Sequence, residues 1–261
     1  MKIFNAVTRG SSLRDVDMVY WPLNILFSYA YKENYNNLIK TIKQTRYEIM
    51  LDSGAYTVWT KGKEINVYDY IEFIRAVSPK PTYIVTLDKI GDGEISIENA
   101  LLMKKELQMD NLIPVFHIGD DMEILKEYCN KFNIVGLSCM FGESEKESLI
   151  WLDKCFENCW PHKFHSFGFI KRSVIFRYPF YSGDSSSWMR KATNGVWPRY
   201  GMARVSMEGS CYYSCVADLK YFYDLQQQVT AYWRKTIERL GWNTNQMVRQ
   251  TTQCFKEEIL S

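Results

Sequence analysis

The chain has 261 residues, of which 46% are hydrophobic and 24% charged, and its formal net charge is +2. That balance describes a globular protein with ample core material and excludes a disordered, collagen-like or disulfide-scaffold chain. No apolar run reaches the roughly 18 residues of a membrane span, and Met1-Lys-Ile-Phe-Asn5 lacks the apolar core and cleavage site of a signal peptide. Seven cysteines, an odd number, fit reduced thiols, so a cytoplasmic location is expected.

The charge is uneven. Residues 1–169 carry −4 and residues 170–261 carry +6. A basic C-terminal third on a near-neutral chain suits a surface that faces a polyanion, or is simply a solvated face.

Predicted elements alternate along the chain. Strands are expected at Lys2–Val7 and Asn24–Tyr29, then a helix over Tyr35–Lys43 from the spacing of Leu38, Ile39 and Ile42. A third strand, Tyr47–Leu51, precedes an amphipathic helix over Tyr68–Val77. The β-branched run Tyr83–Leu87 reads as a buried strand. A helix from Ser96 to Gln108 follows, then a strand at Leu112–Phe116 and a helix from Asp121 to Lys131. Asn133–Leu137 is the sixth strand, Lys146–Cys159 a helix, Lys163–Phe169 the seventh strand, Arg172–Arg177 a short helix and Phe180–Gly183 the eighth strand. Val216–Leu240 reads as a long helix and Asn243–Leu260 as a final one, with loops over Trp188–Tyr213.

Eight strands alternating with helices at this length predict a (β/α)8 TIM barrel over residues 1–190. A basic, aromatic loop and C-terminal helices, residues 191–261, form an extension packed on it. An open doubly wound sheet is the competitor, but no Gly-rich phosphate loop follows the first strand.

Barrel enzymes carry their chemistry at the C-terminal strand ends. Here those ends hold Asp52-Ser53-Gly54, then Asp88 with Asp92 nearby, then His117, then Ser138. After them come His165, Phe167 and Gly168, and finally Asp184-Ser185-Ser186. Three acids at three strand ends point to acid–base or nucleophilic work at a shared mouth. The structural alternative is that they cap turns and helices, which aspartate commonly does.

The ordered set Leu51-Asp-Ser-Gly-Ala-Tyr56, Thr86-Leu-Asp88, Pro114-Val-Phe-His-Ile-Gly119, Gly136-Leu-Ser138, Ser166-Phe-Gly168 and Tyr181-Ser-Gly-Asp-Ser-Ser-Ser-Trp188 resembles the tRNA-guanine transglycosylase superfamily. Within it the likeness is greatest to the short phage DNA-guanine transglycosylases (DpdA type), and it spans about residues 1–200. The resemblance implies exchange of guanine in DNA for a 7-deazaguanine such as preQ0, in a host cytoplasm. The same exchange on tRNA is the alternative.

It also implies roles. Asp184 matches the nucleophile at C1′ and Asp52 the general acid/base. Asp88 matches the carboxylate that reads the purine edge. His117 falls where a further base contact is made, a glutamine in the tRNA enzymes. Ser53 and Gly54 beside Asp52 are counted among the substrate-binding residues, Gly136 and Ser138 line the base pocket, and Tyr56 stacks on the base. His165 and Phe167 stand at the same mouth, and each histidine has a structural alternative. Base exchange with retained configuration needs two displacements through a covalent glycosyl-enzyme, and a paired guanine must first leave the stack. Trp188, Arg190, Lys191, Arg199 and Arg204 are candidate phosphate and base contacts in the basic tail. Packing against the barrel is the other reading for them.

No cofactor is expected. The Cys-x-Cys-x-x-Cys zinc motif of the tRNA enzymes is absent, and the chain is shorter than those enzymes with a different tail, which favours DNA over tRNA. One spacing, Cys155, Cys159, His162 and His165, has ligand types that suit Zn²⁺, although Cys155 and Cys159 fall one turn apart beside Leu152 and read as small core residues. The partners implied are DNA or tRNA and the deazaguanine base. No membrane is involved, and a homodimer is left open. A metal-dependent hydrolase would need a His-x-His on the first strand, which is missing. A non-catalytic nucleic-acid-binding barrel would not put three carboxylates where phosphates must approach.

Overall fold

A computed structural model describes residues 1–7, 21–36, 38, 47–139, 144–188 and 207–241. Among them nine strands form one all-parallel sheet: β1 (Lys2–Val7), β2 (Leu23–Ser28), β3 (Tyr47–Asp52), β4 (Tyr83–Val85), β5 (Leu112–Ile113), β6 (Val115–His117), β7 (Ile134–Ser138), β8 (Lys163–Phe167) and β9 (Ser182–Ser185). Their order is β5-β4-β3-β2-β1-β9-β8-β7-β6.

The two outer strands of that order, β5 and β6, are consecutive in sequence and parted by Pro114 alone. Proline has no N–H for the ladder. Its carbonyl still accepts from the Gly136 N–H at 2.8 Å, and the Ile113 carbonyl accepts from Thr86 at 2.9 Å. β5 and β6 are therefore two arms of one strand, one paired to β4 and the other to β7. Counting the arms together, eight parallel strands curl into a TIM-barrel-like sheet. The single strand predicted at Leu112–Phe116 is broken for this reason.

Helices fill the crossovers: α1 (Ala55–Trp59), α2 (Val67–Ala76), α3 (Gly93–Leu107), α4 (Met122–Lys131), α5 (Glu145–Cys159), α6 (Arg172–Ile175) and α7 (Met207–Arg239), with a 3-10 helix at Tyr29–Asn34. The starts of α2, α3, α4 and α5 are set by side-chain caps. Asn66 caps α2, Asp121 caps α4, and Ser144 with Glu147 forms a capping box on α5. Helix α3 begins earlier than Ser96, because Asp92 accepts the Ile95 N–H at 3.0 Å. Ser96 instead bonds the Lys89 backbone. Helix α1 was not predicted; a five-residue turn carries too little periodicity. The predicted helix Asn243–Leu260 lies outside the described residues.

Side chains alternate across each strand. Ile3, Val7, Leu51, Ile84, Phe116, Val135, Leu137 and Phe164 face the helices in one cluster. Phe4, Ala6, Leu26, Met50, Val85, Ile113, Val115 and Ile134 fill the barrel interior in another. At the N-terminal end of the interior lie Lys2, bonded to Glu48 at 2.8 Å, and the Tyr83–Tyr181 hydroxyl pair at 2.9 Å.

Helix α7 packs on the barrel through Leu219, Phe222, Leu225, Val229 and Trp233, all buried. Gln226 Oε1 accepts from Ile3 N at 2.7 Å and Asn24 Nδ2 at 3.1 Å, and Trp233 Nε1 donates to the Ile175 carbonyl at 2.8 Å. Among the described residues no helix is long and apolar enough to cross a membrane. A cleft of about 800 Å³ opens at the N-terminal end, lined by Asp110, Asn111, Lys131, Asn133, Lys163 and Tyr181 among others.

Candidate active site at the C-terminal mouth

The interior parity that sets Leu26, Met50, Val115, Gly136, His165 and Ser182 inward carries two residues further on each strand, to Ser28, Asp52, His117, Ser138, Phe167 and Asp184. Strand register keeps them near one level: Ser28 lies opposite Asp52, and Ser138 lies opposite both His117 and Phe167. Asp184 is the third residue of β9, opposite Phe4. It stands inside the strand, which ends two residues beyond the predicted boundary at Gly183.

Asp52 accepts the Gly54 N–H at 3.0 Å and a hydrogen bond from the Ser28 hydroxyl. Those donors favour its ionised form and are outweighed. Burial first, then the charges of Asp88 and Asp184, push its carboxyl up to about 7. Gly54 has φ +78°, and a Cβ there would meet Ser28 Oγ at 2.7 Å and the Ala30 N at 2.8 Å. Only glycine lets the chain turn this close to the 3-10 helix after β2.

Asp88 is held on both oxygens. Ser53 Oγ donates to Oδ1 at 3.1 Å, and His117 Nε2 meets Oδ2 at 2.9 Å. Both side chains of the Asp88–His117 pair are largely buried. The backbone N–H of His117 donates to Asp120 Oδ2 at 3.0 Å, and burial raises the Asp120 carboxyl above its ordinary value.

Asp184 is 9% exposed. Its Oδ1 accepts from the Gly168 N–H at 2.9 Å and faces His165 Nε2 at 3.3 Å. His165 is fully buried, and its Nδ1 meets Ser182 Oγ at 2.8 Å. The serines after Asp184 close a turn, Ser187 N–H to Ser185 Oγ at 3.2 Å.

Asp52, Asp88 and Asp184 thus share one electrostatic neighbourhood, in which Asp88 and Asp184 both act on Asp52. The arrangement supplies a proton-holding carboxyl near neutral pH and, at the same mouth, a carboxylate fixed by two donors, groups capable of acid–base and nucleophilic chemistry. His165 reaches that carboxylate from behind rather than lining the mouth, so a direct ligand contact from it is replaced by a supporting role. Asp92 is the cap of α3.

Phe167 packs on His165, ring centroids 4.4 Å apart, and covers Gly136, where a Cβ would fall 2.1 Å from Phe167 Cε2. Gly136→Ala should push that ring aside. We expect a loss of about 1–3 kcal/mol, read as a fall of several degrees in Tm. An unchanged Tm would show that the ring yields without cost.

Tyr56 is 46% exposed on α1, beside Trp59 at 50%, ring centroids 6.3 Å apart. Trp188 is 0% exposed and donates Nε1–H to the Ala6 carbonyl at 2.9 Å. It belongs to the core and has no face to offer a nucleotide, which corrects its expected nucleic-acid contact. Arg190, Lys191, Arg199 and Arg204 lie outside the described residues.

The cysteine–histidine spacing does not converge. Cys155 is buried against the α5 core, the free thiol of Cys159 shares a hydrogen bond with that of Cys129, and His165 turns inward to Asp184. Among the described residues no group of three His, Cys, Asp or Glu side chains could hold a metal ion. Sequence reasoning missed Ser28, Asp120 and Ser182. Ser28 and Ser182 share the interior parity of the site, a signal that was available two residues from Leu26 and Asp184.

These features define a barrel with a carboxylate-rich C-terminal mouth. Searches against protein-family models and against curated proteins find no match to the chain.

Proposed function

We propose that this protein is a base-exchanging transglycosylase that replaces guanine in DNA with a 7-deazaguanine such as preQ0. The observation that carries the reading is the pairing, at one mouth, of Asp52, whose carboxyl holds its proton up to about 7, with Asp184, whose Oδ1 is fixed by Gly168 and His165. In the first displacement Asp184 attacks C1′ as the C1′–base bond breaks, and Asp52 gives its proton to the departing guanine. In the second, the incoming base loses a proton to Asp52 and takes the sugar from Asp184. Asp88, aligned by Ser53 and His117, accepts N–H groups from the purine edge, and Tyr56 stacks on it.

The test is release of labelled guanine from DNA and, separately, from tRNA, each with and without preQ0. Release from DNA that depends on preQ0 is expected. Release from tRNA alone would move the substrate and keep the chemistry, and release from neither would overturn the reading. Asp88→Asn swaps one acceptor oxygen for a donor that faces N–H groups. We expect a loss of guanine preference of about 10²-fold or more in kcat/KM, measured against an adenine- or inosine-containing substrate. An unchanged preference would remove Asp88 from base selection.

A further inference from the structure

We infer that Ser182 and His165 form a buried positioning relay that decides which oxygen of Asp184 attacks. The inference rests on the transglycosylase reading for its kinetic consequence, and on the geometry alone for its hydrogen-bond sense.

An ionised carboxylate only accepts hydrogen bonds. Asp184 Oδ1 faces His165 Nε2 at 3.3 Å, so the imidazole proton sits on Nε2. In that tautomer Nδ1 is an acceptor, and the Ser182 hydroxyl, 2.8 Å away, donates to it. Strand register builds the relay. His165 pairs with Ser182 between β8 and β9, and Ser182 and Asp184, two residues apart, face the same side. All of its inner members are sealed: Ser182 is 1% exposed and His165 is 0% exposed. Phe4 and Phe167 pack on the imidazole, with centroids at 6.2 and 4.4 Å.

The consequence falls on Asp184. Oδ1 is already occupied by two donors, Gly168 N–H and His165 Nε2–H. Oδ2 takes no hydrogen bond from the described residues, and its lone pairs are the ones left to form the bond to C1′. As that bond forms, the electron pair of the C1′–base bond leaves with the base, which is protonated by Asp52. His165 transfers no proton; it holds the plane of the carboxylate and keeps charge on Oδ1 while Oδ2 reacts. A group buried behind a nucleophile and oriented by a further hydrogen bond acts by alignment, and misplacement of the nucleophile costs rate rather than binding.

The full chain labelled with ¹⁵N-histidine tests the hydrogen-bond sense without any substrate. It contains three histidines, and His165→Gln assigns the signal. The Nε2–H tautomer is expected for His165, with its Nδ1 resonance shifting in Ser182→Ala. An Nδ1–H tautomer, or a resonance indifferent to Ser182→Ala, overturns the relay. Kinetics test its role. His165→Phe keeps the bulk and loses the donor, and kcat should fall about 10²-fold with KM within about threefold. His165→Gln restores an N–H near the Nε2 position and should recover about tenfold of that loss. Equal activity of the phenylalanine variant, or no advantage for glutamine, overturns the role. If His165→Phe fails to fold, Ser182→Ala replaces it, with a fall in kcat of about tenfold expected and no change overturning the proposal. A wild-type protein that releases no base from any nucleic acid would sink the transglycosylase reading, while the tautomer measurement would still decide the relay.

Discussion

Replacing Asp184 by alanine is expected to abolish guanine release, by about 10⁴-fold or more, and to leave no covalent protein–nucleic acid adduct on a denaturing gel. The size of the effect follows from its position. Asp184 is the carboxylate of the mouth with one oxygen pinned by two donors and the other without a hydrogen bond from the described residues. Asp52 and Asp88 cannot replace it. Asp52 holds its proton up to about 7, and Asp88, held by Ser53 and His117, is the group that the proposed reading assigns to the purine edge rather than to C1′. An adduct that persists in Asp184→Ala would move the nucleophile elsewhere. Asp184→Asn gives the same result with less change in shape, and so separates chemistry from folding.

The second large effect is on Asp52, and it has opposite signs for activity and stability. Asp52→Asn removes the proton donor and acceptor and should lower kcat by about 10³-fold. The wild-type carboxyl, ordinarily near 3.8, is pushed up to about 7 by burial and by Asp88 and Asp184. A raised carboxyl means that the folded protein binds a proton that the unfolded chain has released. Stability from this group is therefore complete below about pH 4 and is lost as pH rises towards 7. Above neutrality the cost is on the order of 4 kcal/mol. Asparagine avoids the charge and can still accept from Gly54 and Ser28. The variant should melt several degrees above the wild type at pH 8, and the gap should close as the pH falls towards 4. A variant that melts lower at pH 8 would contradict the raised carboxyl. In the wild type the rate of the first displacement should fall as pH rises through about 7, because Asp52 then has no proton to give.

Much of the barrel is legible in the sequence because it depends on local periodicity. The β-branched run at Tyr83–Val85 and the spacing of Tyr70, Ile71 and Ile74 state strand and helix without reference to anything distant. The cap at Asp121 belongs to the same class, whereas the capping box of Ser144 and Glu147 starts α5 one residue before the predicted Lys146. Asp52, Asp88, His117 and Asp184 could be nominated because a strand's end is visible from its own residues. Helix α1 escaped because five residues hold too little pattern, and the start of α3 because Asp92 and Ser96 are both capable caps. Trp188 looked like part of a basic, aromatic tail, since composition cannot tell a ring that meets a ligand from one that meets the Ala6 carbonyl 182 positions away.

By itself, then, the sequence determined the alternation of strands and helices and the identity of the acids at the strand ends. Each of these is set by neighbours a few residues apart. Only the tertiary structure decided that β5 and β6 are two arms meeting across Pro114, that Asp88 is shared by Ser53 and His117, and that His165 stands behind Asp184 with Ser182 behind it. Those outcomes rest on contacts between residues 16 to 35 positions apart and on register between strands. They arise because burial denies a polar group its water and so favours whatever partner folding brings to it.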